Sequence, residues 1–146
     1  AIPVALHSTL VKHFGETTVF HQATVQIDSL LAANKNNIEK QIAVFHCTDS
    51  FDILVCEGEK LLLYNTFRCE EKEDLVFYIL YVCDKLKLNT DQVRLKLFGD
   101  VNNKNDRYKL LCDYLTNVEF GSRSDKYQFS HVFDEIPRHY YPCLFY

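Results

Sequence analysis

The sequence predicts an α/β fold: three antiparallel strands, then a helix, a strand, a helix and a last strand, in one mixed five-stranded sheet flanked by helices. Three stretches carry the prediction. QIAVFHCT (residues 41–48) is an apolar run of strand length. FDILVCEGEKLLLYNTF (51–67) is two such runs about a glycine-bearing turn, and EDLVFYILYVCDKLKL (73–88) spaces its apolar residues as a helix does.

From the N-terminus, Ile2-Pro3 opens a helix, because proline suits a first turn. Val4, Leu6, Leu10, Val11 and Phe14 recur at helical spacing, and Gly15 closes the helix. Thr17 to His21 (TTVFH), β-branched and aromatic, reads as a short strand. Val25, Ile27, Leu30 and Leu31 mark a second helix from Ala23 to Ala33, and Asn34 to Asn37 reads as an exposed loop and a subdomain boundary.

Ile42 to Thr48 is so continuously apolar that both its faces should be buried. Asp49-Ser50 turns the chain into a second strand, Phe51 to Cys56, and Glu57-Gly58-Glu59 turns it into a third, Lys60 to Phe67. Glu70, Glu71, Glu73 and Asp74 crowd the start of the next helix, where negative charge suits the helix dipole. Leu75, Ile79, Val82 and Leu86 form its apolar face, and Phe77, Tyr78 and Tyr81 widen that face until the helix reads as buried almost all round. Arg94 and Lys96 alternate with Val93, Leu95 and Leu97 in a strand with one wet face, which Gly99 ends. A helix from about Lys104 to Leu115, with Tyr108, Leu111, Cys112 and Leu115 inward, leads to a short strand at Asn117 to Phe120. The aromatic remainder is predicted to form one helical turn at Ile136 to Pro142 and to cover the sheet or a missing first half.

Composition bounds the function. The 146 residues suit one domain of ordinary size, and a net charge of −4, with its scattered Lys and Arg, gives no electrostatic footprint for nucleic acid. The longest apolar run, Leu75 to Cys83, is about half of the roughly 18–20 residues that span a bilayer, and the N-terminus lacks the pattern of a signal peptide. Six cysteines stand at least nine residues apart with no close pair. They read as reduced structural thiols of a cytoplasmic protein, not as a metal site or a disulfide framework. The chain has no methionine, which points to trimming or to a fragment of a longer product.

Three antiparallel strands followed by alternating helices and strands is the ribonuclease H-like order, β-β-β-α-β-α-β. The helix–strand–helix of the first residues is echoed later by the helix Lys104–Leu115, the strand Asn117–Phe120 and a final segment. Residues 1–37 therefore read as the remnant and crossover of a preceding half, and residues 38–146 as a ribonuclease H-like subdomain, the second half of an actin-like ATPase fold. EGEKLLLYNTF, EDLVFYILYVCDKLKL, VRLKLFGD and the terminal IPRHYYPCLFY resemble an uncharacterised bacterial family, a domain of unknown function grouped with the actin-like ATPases. The resemblance runs from about Thr18 onward. It implies an actin-like fold, correspondence to the C-terminal half of a longer protein, and no established activity.

Actin-like ATPases hold phosphate in a turn between the first two strands of each half, where glycines admit the phosphate and an acid organises Mg²⁺. The matching candidate phosphate loop is Thr48, Asp49 and Ser50, which has hydroxyls and an acid but no glycine, and is followed by the bulky Phe51. The candidate adenosine loop is Gly99 and Asp100, with the acid in place of a second glycine. Both motifs are degraded, so nucleotide binding is expected to be lost in this half. A Cys–His pair at His46-Cys47 fails because neighbouring strand residues point to opposite faces. An Asp49–Asp52 metal pair lacks further acids, since Arg94 and Lys96 stand on the fourth strand.

The expected function is that of a non-catalytic scaffold or protein-interaction module with no catalytic residues, no metal and no cofactor, which self-associates or binds a protein partner through its first helix or aromatic tail. The alternative is an ATP- and Mg²⁺-binding protein whose active phosphate loop lies in an N-terminal half.

Overall fold

In a computed structural model, which describes residues 3–123 and 129–142, the apolar run at 41–46 becomes the central strand β1 (Lys40–His46). It pairs antiparallel with β2 (Ser50–Glu57), and β2 with β3 (Lys60–Arg68); on its other side β1 pairs parallel with β4 (Arg94–Gly99), and β4 with β5 (Asn117–Phe120). The order is β3-β2-β1-β4-β5, a mixed five-stranded sheet. β2 and β3 are joined by a two-residue turn, with Glu57 opposite Lys60 and Gly58 at φ 58°, a conformation that glycine adopts without strain.

Both faces of the central strands are covered, as their apolar continuity predicts. Ile42 and Val44 of β1 and Phe51, Ile53 and Val55 of β2 pack with α3 (Asp74–Lys85) and α4 (Asp106–Tyr114). Ala43, Phe45, Leu54, Cys56 and Phe98 meet α2 (Gln22–Asn34) through Ile27, Leu30 and Leu31 on the opposite face. Each fully buried Ile, Leu or Phe here contributes about 1.5–3 kcal/mol relative to its exposed state. α1 (Val4–Phe14), ended at Gly15, has no buried residue.

Several expectations need correction. Thr17 to His21 is not a strand: strand propensity acts only where a neighbouring strand supplies ladder bonds, and none is at hand for Val19 and Phe20, which are exposed. His21 instead caps α2, its Nδ1 accepting from the backbone N–H of Ala23 at 3.1 Å. The echo of helix–strand–helix therefore lacks its strand. Asn34 is no loop residue but the buried last residue of α2, its Nδ2 donating to Cys56 Sγ and the Gly58 carbonyl, each at 3.3 Å. α3 buries one face only. Leu75, Val76, Ile79, Val82 and Cys83 point inward, whereas Phe77 and Tyr81, four residues apart, form an exposed ridge.

Ile136 to Pro142 is not one helical turn, because Tyr141 sits at φ 52°, outside the right-handed helical region. Tyr140 N–H instead donates to the Pro137 carbonyl in a turn that sets buried His139 on the Phe120 ring, with centroids 4.3 Å apart. A short 3-10 turn precedes it at His131–Phe133. The tail thus covers the sheet on its β4–β5 side, where Gly99 N–H donates to the His139 carbonyl and His139 Nε2 donates to the Val101 carbonyl at 2.7 Å. Cys112, expected inward, is exposed. Ile2, Cys143, Phe145 and Tyr146 lie outside the described residues.

Candidate functional site

β1 and β4 run parallel and finish side by side, His46 opposite Gly99. In open α/β sheets, ligands settle outside such carboxyl ends. Here the ends open into a cleft of about 540 Å³. One wall is the end of β1 and its turn, Phe45 to Thr48; a second is Gly99-Asp100 and the start of α4, Asn105 and Arg107. Gln22 and Gln26 of α2 and Tyr141-Pro142 of the tail complete it.

The two predicted loops meet here only in part. Thr48, Gly99 and Asp100 line the cleft; Asp49 and Ser50 do not. The turn itself is tight, since Cys47 N–H donates to the Ser50 carbonyl at 2.8 Å, and the Asp49 carbonyl accepts from Cys69 N–H at 3.0 Å. Phe51, just beyond, is fully buried. Asp52 is directed to the edge strand, where Thr66 Oγ1 donates to it at 2.7 Å. Gly99 has a sharp structural reason: its φ is 106°, and a Cβ there would overlap the carbonyl oxygen of His46.

Sequence reading missed the pair that dominates the cleft. Arg107 Nη1 donates to His46 Nε2 at 3.3 Å. A guanidinium has no acceptor, so Nε2 must accept, and the neutral imidazole carries its proton on Nδ1. Burial, and then the Arg107 charge, hold the His46 pKa below its ordinary value, against a smaller upward pull from Asp100. The local sequence places Arg107 by capping: Asn105 Oδ1 accepts from Arg107 N–H at 2.9 Å, so α4 starts at Asp106 and Arg107 falls in its first turn. An asparagine two residues before an arginine, after a strand-ending glycine, was the available signal. His46 and Cys47 do point apart, the first buried and the second exposed. Among the described residues no cluster of three or more His, Cys, Asp or Glu forms a metal site.

A β-β-β-α-β-α-β sheet in the order β3-β2-β1-β4-β5, with its cleft at the ends of β1 and β4, is the ribonuclease H-like unit of an actin-like ATPase fold. A solved structure from Bacteroides thetaiotaomicron VPI-5482, described as a protein with actin-like ATPase fold and unknown function, is similar over 80% of this chain at 26% identity and a TM-score of 0.69. This chain spans 46% of the length of that one. The chain belongs to the family described as protein of unknown function (DUF3822), whose profile matches residues 1–118. No curated protein sequence matches it.

Proposed function

We propose that the chain is a non-catalytic actin-like module, a scaffold or protein-interaction unit whose cleft has lost Mg²⁺–nucleotide chemistry. The observation that carries this is the sign and source of charge in the cleft. A nucleotide site of this fold needs an acid to organise Mg²⁺ and room for phosphate over a glycine turn. Here Asp49 and Asp52 do not line the cleft, the acid that does, Asp100, is exposed, and Arg107 brings a fixed cation in. A guanidinium there repels a divalent metal, and more strongly in a partly desolvated cleft than in water.

The interaction role draws support from exposed apolar surface on α1 and the segment after it: Val4 is 82% exposed, Phe14 75% and Phe20 64%. Large apolar side chains left on a surface suit a contact site. Residues 1–37 fit the remnant and crossover of a preceding half in this reading, although α2 shares the core of the sheet. A cytoplasmic, bacterial setting is supported by five free thiols at Cys47, Cys56, Cys69, Cys83 and Cys112, and by the bacterial source of the similar structure. Among the described residues no helix is long and apolar enough to cross a membrane.

The alternative keeps ATP and Mg²⁺, with the working phosphate loop in an N-terminal half. It is favoured by the convergence of Thr48, Gly99 and Asp100 on one cleft and by the 46% coverage of the similar chain. ATP turnover and binding of a fluorescent ATP analogue by the full-length protein separate the two. The scaffold reading expects neither turnover nor Mg²⁺-dependent, adenine-specific binding; either result would favour the alternative.

A further inference from the structure

Two side chains of the cleft, Arg107 and His46, carry buried donors without a partner. Arg107 makes no ion pair among the described residues, its one polar side-chain contact is the bond to His46, and its Nε is buried without a partner. His46, only 8% exposed, has a buried Nδ1 without a partner, and that nitrogen carries the proton because Nε2 accepts from Arg107. Both line the cleft beside the N-terminus of the nine-residue α4, whose dipole adds positive potential. A buried donor left unmatched is costly, so the ligand that suits these groups is an acceptor, and the fixed charge of Arg107 selects a negative one. Phe45, Tyr141 and Pro142 give the cleft an apolar wall for the remainder of such a ligand. Asp100, exposed on the rim, disfavours a highly charged anion.

We propose that this cleft binds an oxyanion group, a carboxylate or a phosphate of a small molecule, held by Arg107 and the first turn of α4 without a metal. The site rests on the Arg107 cation and its neighbouring donors, so it stands whether or not the module has lost nucleotide chemistry. A carboxylate pairs with the guanidinium fork through two oxygens, and a phosphate adds a third oxygen for the backbone N–H groups at the helix start.

The test is a calorimetric titration of the full chain in EDTA with potassium phosphate and, separately, with potassium succinate, against potassium chloride at matched ionic strength. Saturable binding of at least one oxyanion is expected, and the stronger of the two names the source. Arg107→Gln should weaken it by about tenfold or more, as loss of a charged hydrogen-bond donor does. Arg94→Gln, which breaks an exposed ion pair with Glu39 at the far end of β4, should leave it unchanged. Should Arg107→Gln not fold, the Arg107 Nε–H resonance of the wild-type protein must move on titration. Absence of saturable binding at tens of millimolar, equal binding by Arg107→Gln, or a motionless Arg107 resonance overturns the proposal. Binding of ATP with Mg²⁺ but of neither simple anion also overturns it, while leaving the nucleotide alternative standing.

Discussion

Along β1, Ile42 to Phe45 and the residue that follows them, His46, are all withdrawn from solvent but are held in opposite ways. The first four are enclosed by helices on both faces of the sheet, with every side chain in apolar contact. His46 is enclosed beside a cation, its pKa lowered by burial and then by that charge, and one of its nitrogens is without a partner. One residue along a strand is enough to pass from a region that stabilises the fold to one that carries unsatisfied polar groups. Such a residue persists where something other than stability retains it, and the cleft is where this sheet architecture binds ligands.

The contrast can be broken first by core truncation. Ile53→Ala, at a fully buried position of β2, should lower the unfolding free energy by about 4 kcal/mol in a urea titration. A loss below about 1 kcal/mol would show a looser core than this packing implies. Gly99→Ala stands at the seam of the two regions. Its positive φ and the overlap with the His46 carbonyl should cost about 3 kcal/mol, by parting β1 from β4 at their ends.

His46→Leu, by contrast, should change stability by less than about 1 kcal/mol, because loss of its bond to Arg107 is offset by removal of a buried donor that nothing satisfies. Its clearer effect is on pH dependence. The unfolded chain takes up a proton on His46 near the ordinary value of 6.5, and the folded chain only at lower pH. The corresponding stability is fully present above that ordinary value and is lost as pH falls through the depressed folded pKa. Unfolding measured across that acid range should slope downward in the wild type and flatten in His46→Leu. An unchanged slope would place the acid sensitivity elsewhere. Smallest of all, Phe77→Ala on the exposed ridge of α3 should stay within about 0.5 kcal/mol of wild type, although its neighbour Ile79 is fully buried. Thiol labelling of the native protein provides a last comparison: Cys47 and Cys112 should react before Cys83, whose pKa burial pushes up to about 11.

The sheet was legible in the sequence because its signals are local and mutually consistent. The run Ile42 to Phe45 demands burial on both faces, Gly58 permits the hairpin, and the spacing of Leu75, Ile79 and Val82 can be satisfied only by a helix. Thr17 to His21 misled because β-propensity says nothing about whether a partner strand is present. Phe77 and Tyr81 misled because hydrophobicity around a helix does not reveal how much of it the sheet can cover. Of the candidate site, Thr48, Gly99 and Asp100 were legible from fold topology, which brings strand ends together. Arg107 and His46 were not, since their meeting spans 61 positions of sequence and depends on where Asn105 starts α4.

The central claim is that the positive charge of this cleft comes from Arg107 and not from a bound metal, so that Mg²⁺–nucleotide recognition is gone. Thermal melting of the full-length protein with Mg²⁺–ATP, set against Mg²⁺–tripolyphosphate and against ATP in EDTA, tests it most directly. A ligand at one hundred times its Kd stabilises by about 2.7 kcal/mol, which a melt resolves easily. The account predicts that Mg²⁺–ATP raises the melting temperature no more than the inorganic chain does. A rise that requires both adenine and Mg²⁺ would contradict it.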